Sequence, residues 1–221
     1  MVRQLITEPE AFISKRVNQR GALREIIVVL LVGALGALGM YFMSQEVLAV
    51  TDSDEMQLVL VGYVLGPVLI TIVLWIIYAV VLHFAARFYR GRGQLKRMFI
   101  GTAWAFVPLG IGNLAQSIGM YVVLLDFDVS GELDGIGPDA QLESLLSAMI
   151  GEPIMIGATV VFLATLVWTA YLMTIVLTEA QTNITREEAI KLVAPIVGIQ
   201  FLFAVWALVS ESVNFALMMG G

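Results

Sequence analysis

The sequence predicts an all-α membrane protein: a five-transmembrane-helix bundle preceded by a short N-terminal interfacial helix. Three observations predict it. The 221 residues are 59% hydrophobic and only 14% charged, against roughly 25% charged in soluble domains, so a water-facing surface cannot be covered. Five apolar runs have about the 20 residues needed to cross roughly 30 Å of hydrocarbon as helix. All twelve Lys and Arg fall in alternate segments between those runs.

Residues 1–25 form the segment before the first span. Their basic residues are spread out and no small-residue cleavage site follows, so the first apolar run is expected to be a retained anchor rather than a signal peptide. Thr7-Glu8-Pro9-Glu10 reads as a capping box opening a helix from Glu10 to about Arg20. Phe12, Ile13 and Val17 would lie on one side, with Lys15, Arg16 and Arg20 among the polar positions. Such a helix is expected to lie at the inner membrane surface.

The membrane domain is expected over residues 26–218. Its spans are placed at about 26–44, 58–82, 98–125, 153–178 and 189–210. In lipid every backbone polar group needs an internal partner, so these runs must be helices despite their many Val and Ile. Residues 126–152 form an acidic loop. Within it, Val129–Pro138 reads as irregular chain and Gln141–Ile150 as an amphipathic helix resting on the bilayer or the bundle. Glu152-Pro153 suits the first turn of the fourth helix. Thr185-Arg186-Glu187-Glu188 reads as a capping box opening the fifth.

The charges give an orientation. Five Lys/Arg precede the first run; Arg87, Arg90, Arg92, Lys96 and Arg97 lie between the second and third; Arg186 and Lys191 lie between the fourth and fifth or just inside it. The other connections and the C-terminal tail hold only acids. Basic segments mark the cytoplasmic side, so the N-terminus is expected inside and the short C-terminus outside a cell membrane. A net charge of −6 and a pI of about 4.8 suit a chain working in high salt, as in a halophile.

Several function classes lose their chemistry. There is no cysteine and one histidine, His83, so neither a thiolate site nor a multi-histidine metal site is available. No metal, cofactor or catalytic set is expected, and nothing points to nucleic acid. No Asp, Glu, Lys or Arg sits deep in a span, which argues against proton-coupled transport. His83 and Arg87 read as an interfacial pair near lipid headgroups. Gly91-Arg92-Gly93 is no phosphate loop, since the remaining motif residues are missing.

Within the spans, Asn113 and Gln116 share a face of the third, with Ser117 adjacent, and Gln200 lies in the fifth. Amides in hydrocarbon need partners, so they are expected to face the bundle interior. They serve either interhelical hydrogen bonding or a polar cavity for a ligand. Pro108 and Pro195 are expected to kink their helices. Gly33 with Ala37, and Gly62 with Gly66, have close-packing spacing; contact within the bundle is preferred to dimerisation. The basic segments, with Lys15, Arg16, Arg20, Arg87, Arg90, Arg92, Lys96 and Arg97, serve topology and offer a docking surface for anionic lipid or a protein.

The stretch VLHFAARFYRGRGQLKRMFIGTAWAFVPLGIGNL, Val81 to Leu114, has an aromatic exit from the second span, a glycine-bearing basic turn and a third span with proline at its middle. With the five-span layout and the opening Leu5–Phe12, which carries Pro-x-x-Phe, it resembles the prokaryotic Yip (Ypt/Rab-interacting protein) domain family. The resemblance implies a role in membrane organisation or trafficking. Eukaryotic relatives bind prenylated small GTPases through a longer N-terminal region and an Asp-Leu-Tyr-Gly-Pro motif. This sequence lacks both, so GTPase binding is not carried over. The expectation is a non-enzymatic scaffold or adaptor partnered by membrane lipids and a cytoplasmic or membrane protein, with homo-oligomers open. The alternative is a transporter or channel for a small solute, using Pro108, Asn113, Gln116 and Gln200.

Overall fold

The computed structural model describes residues 2–18, 23–50, 54–126, 129 and 138–219. Among them, five helices are long and apolar enough to cross a membrane. Short helices α1 (Val2–Thr7) and α2 (Pro9–Val17) precede the first span, α3 (Leu23–Val50). The second span is α4 (Asp54–Phe88). Strand β1 (Arg92–Gly93) leads to the third span, built of α5 (Leu95–Ala105) and α6 (Val107–Leu124). Helix α7 (Pro138–Ile150) precedes the fourth span, α8 (Pro153–Ala180). Strand β2 (Gln181–Thr182) connects to the fifth, α9 (Arg186–Met219). The chain is thus an all-α membrane bundle. Arg20, Asp52, Asp128 and most of the expected 129–138 loop lie outside the described residues.

The spans outrun their apolar stretches. Helix α4 has 35 residues, roughly 50 Å at 1.5 Å per residue, well beyond about 30 Å of hydrocarbon. A helix ends where a breaker or cap stops it, not where lipid stops. Gln45–Ala49, for example, contains no glycine or proline and continues α3.

The third span is the most buried of the five. Helix α6 packs against α3 and α8, and α5 against α4 and α8. Its break falls at Phe106, whose N–H still donates to the Thr102 carbonyl at 3.1 Å. Pro108, expected to kink one long helix, occupies the first turn of a second, where its missing N–H costs nothing. The prolines that do sit inside helices in the middle of spans are Pro67 of α4 and Pro195 of α9, both within continuous helix.

Small residues decide how closely α3 packs. A methyl group on Gly33 would stand 2.8 Å from the Val68 Cα of α4. Gly36 faces Asn113 and Gly39 faces Ser117 of α6. Ser117 Oγ donates to the Leu35 carbonyl at 2.7 Å and accepts the Gly39 N–H at 3.0 Å, bridging one rung of the α3 ladder. The other pair is a correction: nothing lies within 4 Å of a methyl group placed on Gly62 or Gly66. They face outward from α4 rather than packing within the bundle.

Buried side chains form two clusters. One, at the basic end, gathers Phe12, Ile13, Leu82, Trp104, Phe106 and Val176 among others. The second, at the acidic end, includes Met43, Leu60, Met120, Leu142, Leu145 and Met149, so α7 rests on the bundle. Helix α2 is likewise buried against α5 and α8, not merely laid on a membrane surface.

The two expected capping boxes diverge. At Thr185, N–H donates to Glu188 Oε2 at 2.8 Å and the Glu188 N–H returns to Thr185 Oγ1 at 3.3 Å. Thr7 instead finishes α1, its hydroxyl donating to the Arg3 carbonyl at 3.1 Å. Glu8 takes the N-cap position of α2 with extended φ of −142°. The residue before a proline avoids the helical region, so Pro9 forbids a box starting at Thr7.

Gly33→Ala is expected to destabilise the detergent-solubilised protein by about 1–3 kcal/mol, because overpacking must push α3 and α4 apart. Gly66→Ala should leave the thermal midpoint unchanged or raise it. Thermal unfolding of both variants beside the parent checks the contrast.

Candidate functional site

The fold brings together the residues singled out in the sequence at two places, the basic end and the middle of the bundle.

At the basic end, α4 stops in a hydrogen-bonded turn. The Gly91 N–H donates to the Ala86 carbonyl at 2.9 Å and the Arg90 N–H to the Arg87 carbonyl at 3.1 Å. Arg90 has φ of 62°. These are the two bonds of a Schellman motif, whose left-handed position usually holds glycine. The chain then pairs β1 with β2 antiparallel, Arg92 opposite Thr182 and Gly93 opposite Gln181. Thr182 Oγ1 donates to the Arg92 carbonyl at 2.8 Å. Gly93 is required by this approach, since a side chain there would strike the Ala180 carbonyl oxygen.

Two further contacts lock the ribbon. Arg97 Nη2 donates to the Glu179 carbonyl at 2.9 Å and to Asn18 Oδ1 at 3.0 Å. His83 is buried, with Nδ1 2.9 Å from the Gln181 amide nitrogen. The expected headgroup pairing of His83 with Arg87 is therefore corrected: His83 belongs to the interior, while Arg87 lies over the Phe84 ring at 5.9 Å. The turn that joins the second and third spans is stapled to the one that joins the fourth and fifth.

The cations divide by this geometry. Lys15, Arg87, Arg90, Arg92 and Lys96 are exposed. Arg97 is tied as above. Arg16 is buried, its guanidinium 4.7 Å from the Trp104 ring centroid and 5.1 Å from that of Phe12. Burial lowers its pKa, with nearby Arg24 adding to the shift and Glu25 opposing it. Trp104 Nε1 donates to buried Glu25 at 3.3 Å, so this group seats α2 on α3 and α5. A cleft of about 720 Å³ between α2 and α5 is lined by Asn18, Gln94, Lys96 and Arg97 among others.

In the middle, Asn113, Gln116 and Gln200 line a single cavity of about 410 Å³. Its walls also include Gly36 and Met40 of α3, Thr71 of α4 and Phe162 of α8, residues near the midpoints of their helices. The cavity lies where the two buried clusters part. Asn113 Nδ2 donates to the Val32 carbonyl at 3.0 Å. Gln200 Oε1 accepts from the Tyr78 hydroxyl at 2.6 Å. Pro108 and Pro195 do not line it. Among the described residues no His, Cys, Asp and Glu grouping fit for a metal ion occurs.

Sequence reading missed the ribbon, Gln181 and Glu179, because strand partners some ninety positions apart carry no local signal. Gly91 and Gly93 were visible as a glycine-bearing basic turn and as a failed phosphate motif, without their pairing partner.

Gly93→Ala is expected to unseat the ribbon. Limited trypsin digestion in detergent should then cut after Arg90 or Arg92 several-fold faster than in the parent, with the other sites unchanged.

The Yip1 domain family matches residues 3–208. No curated protein and no solved structure matches the chain.

Proposed function

We propose that this chain, which belongs to the Yip1 domain family, is a non-enzymatic membrane scaffold that docks an acidic protein surface on its basic end. Orientation follows from charge: basic connections stay in the cytoplasm. The N-terminus is then cytoplasmic, the C-terminus outside, and the host membrane the cell membrane.

The observation that carries the reading is Arg90. A non-glycine residue at a left-handed position costs on the order of 1–2 kcal/mol, and strain of this kind clusters where a side chain is used. Arg90 is exposed beside Arg87, Arg92 and Lys96, on a turn fixed by the ribbon. Holding cations on rigid backbone reduces the ordering cost of binding. Topology alone would be served by the same charges on loose chain. Arg16 and Arg97 support this surface from beneath rather than forming it.

The transporter alternative draws on the midplane cavity. Among the described residues no ionisable side chain lines it and most of its lining is apolar, which supports holding a neutral molecule better than conducting a hydrated one.

Replacing Arg87, Arg90, Arg92 and Lys96 by Gln is expected to reduce severalfold the proteins captured by crosslinking in native membranes, identified by mass spectrometry. Capture of the same partners by a correctly inserted variant would reject the surface. Arg90→Gly separates docking from folding, since glycine suits the backbone: its thermal midpoint should hold while capture falls. A C-terminal tag is expected to be reachable in intact cells; accessibility only after lysis would reverse the orientation.

A further inference from the structure

The midplane cavity presents more hydrogen-bonding capacity than the protein satisfies. Gln116 lines it and makes no hydrogen bond among the described residues. Asn113 uses only its amide nitrogen and Gln200 only its carbonyl oxygen. Two carboxamide NH₂ groups, on Gln116 and Gln200, and two carbonyl oxygens, on Asn113 and Gln116, therefore remain for an occupant. Thr71 is already committed to the Pro67 carbonyl at 2.7 Å. In hydrocarbon, unmet polar groups of this kind are costly.

The surroundings restrict the occupant. The volume of about 410 Å³ falls within the roughly 300–1,000 Å³ of ligand pockets. Two lining residues, Ile70 of α4 and Phe203 of α9, are 60% and 67% exposed, so the mouth opens sideways between α4 and α9, toward lipid rather than water. Tyr78 and Gln200 tie the two helices on the basic side of that mouth. A charged headgroup would find no counter-charge at this depth. It would also have to leave the interface, about 15 Å away at half the hydrocarbon thickness. A neutral headgroup can make that move.

We propose that the cavity binds a neutral, hydroxyl-headed glycerolipid of the diacylglycerol class, entering between α4 and α9. Its ester carbonyls accept from the Gln116 and Gln200 amides, its hydroxyl donates to Asn113, and its chains lie along the apolar wall. The site is independent of the basic end, and neither proposal needs the other.

The test uses the full chain in phosphatidylcholine nanodiscs with trace dioleoylglycerol carrying a diazirine in one acyl chain. A matched diazirine phosphatidylcholine is the comparator. The diacylglycerol probe should label segments of α6 and α9 around Gln116 and Gln200. Unlabelled dioleoylglycerol should compete, and phosphatidic acid or oleate should not. Gln116→Leu and Gln200→Leu should each lower this labelling by about tenfold, the scale of losing hydrogen bonds to a membrane amide, while phosphatidylcholine labelling of the outer face of α4 stays constant. If either variant fails to fold, the competition on the parent protein still decides. Identical labelling patterns for the two probes, competition by phosphatidic acid or oleate as well, or no competed labelling, as in a cavity holding only water, would overturn the proposal.

Discussion

In hydrocarbon there is no water to receive a hydrogen bond, so every donor and acceptor must be matched inside the protein or leave a defect. That constraint makes the spans helical and selects the roles of their polar side chains. Thr102, Thr159, Thr165 and Thr174 each turn a hydroxyl back to a carbonyl of their own helix. Trp75 donates across to the Phe99 carbonyl, Asn113 to Val32 and Ser117 to Leu35. These bonds fix helix neighbours that apolar packing alone would leave free to slide, because lipid competes equally for apolar surface. The same rule explains why glycines line α3: a serine or asparagine can reach a neighbour's backbone only where that backbone is bare.

The bundle was legible in the sequence because hydropathy and charge are summed over many residues. Spans showed as apolar runs, and their count followed from the alternation of cations and acids. Helix ends were less legible, since they depend on single stops. Thr7 and Thr185 carry the same four-residue pattern, yet only Thr185 caps its helix, because a proline within the first pattern removes the conformation that its middle requires. Pro108 and Pro67 show the same limit. Proline marks a possible break, but whether it starts a helix or sits within one depends on where the neighbouring helices hold the chain.

At the basic end the cations were readable and their display was not. Which of them are exposed is set by contacts with Glu179, Asn18 and Trp104, all remote in sequence. Arg16 and Lys15 are adjacent, yet one is stacked on Trp104 and the other exposed. Helical periodicity separates them in principle. The burial of the charged member needs an aromatic surface and an acid, Trp104 and Glu25, that only the folded chain supplies.

The outward glycines and the midplane amides then describe one asymmetry. The ends of the bundle are closed by dense clusters and by the ribbon, while at mid-depth the chain places amides where leucine would pack without defect. Helix α4 borders that level with Pro67, whose ring removes the hydrogen bond to the Tyr63 carbonyl, and with Gly62 and Gly66, which leave its outer surface bare. Helix α9, across the mouth, is interrupted in the same way by Pro195, so the seam between α4 and α9 is the natural side of the cavity to yield, each helix having one fewer rung to lose on bending. Rigid ends and a compliant wall are compatible only if the polar ties at mid-depth are few, and among the described residues the Tyr78–Gln200 hydrogen bond is the side-chain tie that spans the seam between α4 and α9. The constraint that turns most polar side chains of the spans back onto backbone thus leaves, among the described residues, a mid-depth level where three carboxamides converge with hydrogen-bonding capacity to spare.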